Sequence, residues 1–238
     1  MTGAGGRGAP EPDPLFDTPP VTVAPEAVHL PGWLPTDRQG ALVEDCRRWA
    51  RAGMVRHRMP GGGLMSVRTL SMGWFWSPAR HPPPDTRRHG TPPGYSRTLP
   101  DGSPVPPMPG VLVELAARAV RDALGRSPDP RDPYDVALVN FYGPDARMGM
   151  HQDRDERSRA PVVSLSLGDT CVFRFGNTET RNRPHTDIAL RSGDLFVFGG
   201  PSRTAYHGVV RVRPGTAPPG LGLEGRLNIT VRASGLGR

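Results

Sequence analysis

His151, Gln152 and Asp153 stand together in the second half of the chain, and a third potential ligand, His207, follows far downstream. Side chains on an extended strand alternate between faces, so His151 and Asp153 point the same way, about 6–7 Å apart. Two such groups and one distant histidine make a two-histidine, one-carboxylate set on one face of a metal ion. Ferrous iron held this way keeps positions open for a cosubstrate and O2. A lone His-x-Asp also arises by chance, and on spacing alone an unrelated surface pair competes evenly with the metal site.

The run Arg226-Leu227-Asn228-Ile229-Thr230-Val231-Arg232 bears on that choice. Read as a strand, it puts Arg226, Asn228, Thr230 and Arg232 on one face and three aliphatic residues on the other. Two planar guanidiniums on one face suit bidentate binding of a dicarboxylate. An amphipathic strand with a wet polar face is the competing reading. Asn140 and Tyr142 also share a face of their strand and could donate further hydrogen bonds. A zinc hydrolase fits less well, because metal-activated water needs no paired arginines.

These residues require a scaffold of short strands. Segments 136–142, 162–167, 171–175, 187–190, 195–198 and 226–232 are apolar or alternating and are separated by Gly-bearing turns. Their spacing predicts a sandwich or jelly-roll barrel. Two amphipathic helices precede them. The first runs over residues 36–50, opened by a capping box at Thr36-Asp37-Arg38-Gln39 and buried through Ala41, Leu42, Val43, Cys46 and Trp49. The second spans residues 111–124 on Leu112, Leu115, Ala116, Val120 and Leu124, and Gly125 stops it. The fold class is therefore mostly β with flanking helices (α+β). Residues 1–28, rich in Gly and Pro, read as a flexible lead-in. Residues 29–238 read as one domain, with a lid over about 60–109 and a strand-rich core over about 133–236. Prolines from 77 to 109 exclude a helix or a central strand there, leaving a surface lid containing Tyr95 or a disordered insertion.

Composition adds limits. The 238 residues carry 30 Lys and Arg against 23 Asp and Glu, a net charge of +7. That surplus favours polyanions, nucleic acid first, although an Arg-rich composition also arises from a GC-rich genome. No apolar run is long enough to span a bilayer, so no membrane association is expected. Residues 1–20 lack a signal pattern, which makes a cytoplasmic location the expectation. Cys46 and Cys171 read as reduced core residues with no ligand spacing. His29, His57, His81, His89 and His185 fall in loops or on a helix, as solvated or packing residues.

Asn140-Phe141-Tyr142, His151-Gln152-Asp153, Ser164-Leu165-Ser166-Leu167-Gly168, Tyr206-His207-Gly208 and the 226–232 run resemble, in order and spacing, the AlkB family of Fe(II)/2-oxoglutarate dioxygenases, and its bacterial DNA-repair members most. The resemblance covers most of residues 109–236 and extends more faintly through Met65-Ser66-Val67, Gly73-Trp74, Gly94-Tyr95 and Pro107-Met108-Pro109. It implies a double-stranded β-helix core, with Fe(II) on His151, Asp153 and His207. It implies 2-oxoglutarate on Asn140, Phe141, Tyr142, Arg226, Asn228 and Arg232, with O2 as the second cosubstrate. It places Trp74, Tyr95 and Asp155 at the substrate nucleotide, has His151 stack on a flipped base, and leaves Arg181 as the nearest candidate for a further substrate arginine. The long Pro/Arg-rich lid departs from the family pattern and puts substrate preference in doubt.

The activity implied is oxidative dealkylation of N-alkylated bases such as 1-methyladenine and 3-methylcytosine. It is coupled to decarboxylation of 2-oxoglutarate to succinate and releases formaldehyde. The implied partner is alkylated DNA, single strands first, or RNA, with the enzyme acting as a monomer. A non-nucleic-acid substrate, or a binding module without catalysis, are the alternatives. Arg68, Arg80, Arg87, Arg88 and Arg97 would track phosphates. Affinity for single-stranded DNA is then expected to fall linearly on a log–log plot against salt, with a slope of about −0.7 per phosphate contacted. Fluorescence anisotropy at several salt concentrations reads that slope, and a flat line contradicts the phosphate role.

Overall fold

Apolar residues at every second position recur from residue 136 to 232, and each such segment is a strand of two facing sheets. In the computed structural model, which describes residues 18–59, 62–78 and 94–236, the elements run as follows. β1 (Val21–Ala24) and β2 (Ala27–Leu30) precede helix α1 (Thr36–Trp49). β3 (Arg68–Met72), β4 (Phe75–Trp76) and β5 (Tyr95–Ser96) follow, then helix α2 (Gly110–Leu124). The core strands are β6 (Val136–Tyr142), β7 (Met148–His151), β8 (Val162–Gly168), β9 (Cys171–Gly176), β10 (His185–Leu190), β11 (Leu195–Phe198), β12 (His207–Val212) and β13 (Arg226–Arg232). The major sheet has the order β1-β2-β11-β8-β13-β6-β3, the minor sheet β10-β9-β12-β7, and β4 and β5 form a separate ribbon. The two sheets form the jelly-roll core.

Alternation decides which layer each residue enters. Leu227, Ile229 and Val231 of β13, Val163, Leu165 and Leu167 of β8, and Ala137 and Val139 of β6 join one core with Leu42, Val43 and Cys46 of α1 and Leu112, Ala116 and Val120 of α2. The helices therefore cover the outer face of the major sheet. A second core, built on Phe173, Phe175, Phe196, Phe198 and Val209, fills the space between the sheets. The polar face of β13 looks into that space, and all seven residues of the strand are buried. This is the opposite of a wet polar face. Cys46 and Cys171 are free and buried, as expected.

The structure departs from the sequence reading in several places. The lead-in expected through residue 28 ends earlier. β1 and β2 form a hairpin whose second strand pairs with β11 and buries Val28 and Leu30. Residues 1–17 lie outside the described residues. The capping box is absent: Pro35 is the N-cap of α1 with no side-chain cap. Gln39 instead donates to Leu34 O at 2.8 Å and accepts from Ser192 Oγ at 2.6 Å, pinning α1 to the β10–β11 turn. Ala41 is exposed and Trp49 only half-buried. α2 ends as expected at Gly125, in the left-handed region with φ of 65°.

In the region read as a lid, β3 is an integral strand against β6 and β4 pairs with β5. Gly73, with φ of 78°, makes the turn between β3 and β4, where any Cβ would sit 1.9 Å from Asp135 O. Residues 60–61 and 79–93, and with them Arg80, Arg87, Arg88, His81 and His89, lie outside the described residues. His29 lies on β2, not in a loop, and its Nε2 meets Asp194 Oδ2 at 2.9 Å. His185 opens β10. His57 is a buried packing residue against Phe75 and Trp76.

Candidate metal and cosubstrate site

The pairing of β12 with β7 sets His207 directly opposite His151. Gly208 permits the approach, because a Cβ there would lie 2.6 Å from Met148 O. The imidazole centroids are 4.4 Å apart. Asp153 lies two residues beyond the end of β7 and turns inward. Its Oδ1 is 3.8 Å from His151 Nε2 and its Oδ2 is 3.7 Å from His207 Nε2. One donor atom from each residue falls within 4.8 Å of the others.

The hydrogen bonds around the triad fit a metal. His151 Nδ1 and His207 Nδ1 each lie 3.0 Å from a carbonyl two residues earlier, that of Gly149 and that of Ala205. A carbonyl only accepts, so each Nδ1 carries the proton and each Nε2 presents a lone pair to the centre. Asp153 Oδ2 is buried without a hydrogen-bond partner. A buried carboxylate oxygen left without a donor is costly, and a cation between the three side chains would satisfy it.

The triad opens into a cavity of about 670 Å³ lined by Asn140, Tyr142, Arg226, Asn228, Thr230 and Arg232 among others. Arg226 is 1% exposed. Its Nη2 donates to Ser166 Oγ at 2.9 Å and its guanidinium lies 4.9 Å from the Tyr142 ring centroid, while Nε and Nη1 are buried without acceptors. Those two nitrogens lie on opposite edges of the guanidinium, so each edge keeps an unpartnered charged donor that an anion in the cavity could take. Asn228 is oriented by Ser164 Oγ, Leu165 O and Thr230 Oγ1, and Asn140 by Thr69 Oγ1 at 2.8 Å. Arg232 differs from Arg226. Its Nη2 lies 2.8 Å from Asp153 Oδ1 and its Nη1 lies 3.0 Å from Glu156 Oε1, which leaves only Nε free.

Not every residue read from the sequence reaches the cavity. Phe141 faces the other way, packed on the outer core with Arg68 over its ring, because it alternates with Asn140 and Tyr142. Trp74 is 5% exposed, donates from Nε1 to Asp135 Oδ2 at 3.0 Å and is covered by Arg97 at 3.6 Å. Tyr95 is 1% exposed and donates to Glu156 Oε1 at 2.6 Å. Neither lines the cavity. Trp76 does, and its Nε1 donates to Asp155 Oδ2 at 2.6 Å. Two residues further along the ribbon, the chain presents a different indole from the one expected. Asp155 and Arg181 line the cavity, Arg181 exposed with its guanidinium 5.9 Å from the Tyr206 ring.

The model of the 2OG-Fe(II) oxygenase superfamily matches residues 26–232. The "Alpha-ketoglutarate-dependent dioxygenase AlkB homolog" of Caulobacter vibrioides is 41% identical over 90% of this chain and 90% of its own. The chain belongs to the AlkB family. A plant member, the Arabidopsis thaliana "DNA N(6)-methyladenine demethylase ALKBH1C", is 32% identical over 88% of this chain and 49% of its own. The solved structure of OsALKBH1 superposes with a TM-score of 0.74 at 32% identity, over 90% of this chain and 99% of that one. As an AlkB-family enzyme the chain is a dioxygenase that uses Fe(II), 2-oxoglutarate and O2.

Burial and charge set the titration of this AlkB-family site. For Asp153, burial favours the neutral acid, but Arg232 and then His207 and His151 outweigh it and hold the carboxyl well below its usual range. Burial, aided by the charge of His151, pushes His207 down to about 4. Burial pushes the Tyr142 phenol up to about 12, so it remains a donor. Glu156, Arg203 and Trp76 carry much of the local order, and no spacing in the sequence marks them.

An unfolded histidine titrates near 6.5 and folded His207 near 4, so in between only the unfolded chain takes up that proton. The metal-free protein therefore loses stability as pH falls from about 6.5 to about 4, by up to about 3 kcal/mol from this group. The depressed Asp153 adds its loss only below its ordinary range. Urea unfolding in chelator at pH 7, 5.5 and 4.5 measures the slope. His207→Gln is expected to flatten it, leaving the smaller part from His57, which burial also lowers.

Proposed function

We propose that the enzyme oxidatively demethylates N-alkylated bases of the 1-methyladenine and 3-methylcytosine type in DNA, with single strands preferred. One observation carries the reading: the cavity that holds the triad is also lined by an indole, Trp76, a carboxylate, Asp155, and a cation, Arg181. An aromatic face with hydrogen-bonding groups beside it suits a single extruded base. The net charge of +7 favours a polyanionic carrier for that base.

Fe(II) bound with 2-oxoglutarate and O2 supplies the oxidising power for hydroxylating an alkyl carbon, and the hydroxylated N-alkyl group then leaves as formaldehyde. The chain's part is placement. Arg226 holds the remote carboxylate of 2-oxoglutarate through its buried, incompletely partnered guanidinium, with Asn140, Tyr142 and Asn228 around the rest of the cosubstrate. His151, half-exposed at the cavity side of the triad, forms one wall against the base, and Trp76 offers the stacking surface. Unstacking a base costs a few kcal/mol, least in single strands and at lesions. Stacking on an aromatic side chain returns about 1–3 kcal/mol per base. Asp155, whose carboxyl is raised by burial and partly restored by the Trp76 hydrogen bond, stands where an amino group of the base can meet it. The plant relative named as an N6-methyladenine demethylase makes that base in DNA the second reading.

Formaldehyde release from 1-methyladenine, 3-methylcytosine and N6-methyladenine oligonucleotides, single- and double-stranded, tests both readings. Turnover on the first two in single strands is expected, lost in His151→Ala and Arg226→Ala. Trp76→Ala is expected to raise KM for the oligonucleotide about tenfold, whereas Trp74→Phe leaves it near the original value. Release of formaldehyde from none of the three bases, with 2-oxoglutarate still consumed, contradicts a nucleic-acid substrate.

A further inference from the structure

Four buried charges of alternating sign lie behind the metal triad. Asp153 Oδ1 meets Arg232 Nη2, Arg232 Nη1 meets Glu156 Oε1 at 3.0 Å, and Glu156 Oε2 meets Arg203 Nη2 at 3.0 Å. Glu156 is the node of this chain. Its side chain has no solvent exposure, and the Tyr95 hydroxyl donates to Oε1 at 2.6 Å as a third partner. Arg203, 3% exposed, also donates to the backbone carbonyls of Asp153 and Ala160, at 2.9 and 2.8 Å. Glu156, Arg203 and Tyr95 do not line the cavity, so substrate contact does not account for them.

The consequence falls on Asp153. With Oδ1 held by Arg232, the carboxylate has one oxygen, the unpartnered Oδ2, to offer toward His207. Arg232 has several rotatable bonds and could turn toward the cavity; the Glu156 carboxylate on its second nitrogen fixes the fork. Tyr95 links the same node to the β4–β5 ribbon, where it is the register partner of Trp76. We propose that Glu156 is a positioning residue: it locks Arg232 so that Asp153 presents a single oxygen to the metal, and through Tyr95 it couples metal binding to the ribbon that carries Trp76. This rests on His151, Asp153 and His207 being the ligand set.

Mn2+ titration of the full chain, followed by electron paramagnetic resonance, tests the ligand set and the inference separately. The unsubstituted chain is expected to bind one Mn2+ and Asp153→Ala to bind none. Glu156→Gln keeps the shape, removes the charge and sets an amide against two guanidiniums. It is expected to weaken Mn2+ binding about 10–100-fold, the range for partners that orient metal ligands. Tyr95→Phe keeps the ring and removes one hydroxyl; it is expected to weaken binding in the same direction by less. Hydrogen exchange supplies the second readout: Mn2+ slows exchange at the β4–β5 amides of the unsubstituted chain, and this protection is lost in Tyr95→Phe. If Glu156→Gln does not fold, Tyr95→Phe decides alone. Unchanged Mn2+ affinity in the folded variants, with no effect of Mn2+ on ribbon exchange, overturns the inference while the ligand set stands. Mn2+ binding by Asp153→Ala equal to that of the unsubstituted chain overturns the ligand set, and the inference with it.

Discussion

His207 on β12 faces His151 on β7 across one antiparallel pairing, and the rest of the site is arranged about that register. A slip by one residue would turn one imidazole to the opposite face of the minor sheet and leave Asp153 facing a single histidine. The register is held from both sides. β12 also pairs with β9, setting His207 opposite Phe175 among the buried aromatic rings between the sheets. Packing at that density resists displacement, so the donor atoms are held before any cation arrives.

The second constraint is the double burial of β13. Its aliphatic residues lie under the two helices, and its polar residues enter the inter-sheet space instead of water. There Arg226 and Arg232, alike in type and sharing a face, have different environments. Arg232 is paired with two carboxylates, which keep it protonated against the pull of burial. Among the described residues Arg226 meets a serine hydroxyl, Tyr142 and the Cys171 thiol but no carboxylate, and two of its nitrogens lack partners. A buried cation without an anion is unfavourable. That shortfall is what a dianionic cosubstrate would make good.

Much of this was legible in the sequence, for physical reasons. The alternation in 136–142 and 226–232 fixed both the strands and their inward residues, and Asn140, Tyr142, Arg226 and Asn228 do enter one cavity. Both helices lie where their apolar spacing and Gly125 put them, within a residue or two. The failures lie where local pattern carries little information. A four-residue strand such as β2 follows a Gly/Pro-rich stretch and is stabilised by its pairing with β11, a contact distant in sequence. The choice between Trp74 and Trp76 depends on a two-residue ribbon turned by Gly73, which no periodicity reveals. Glu156 and Arg203 are single charged residues in irregular segments, marked only by burial and pairing.

The central claim is that one ferrous-ion site and one dicarboxylate pocket share this cavity. Calorimetric titration of 2-oxoglutarate into Mn2+-loaded protein under nitrogen tests it most directly, on the unsubstituted chain and on Arg226→Met. The account predicts one 2-oxoglutarate per chain, bound only when the metal is present. It predicts a loss of at least about 30-fold in Arg226→Met, corresponding to about 2 kcal/mol or more for a buried charge-assisted pair, with Mn2+ affinity unchanged. Equal 2-oxoglutarate affinity in the two proteins, or binding indifferent to the metal, would contradict it.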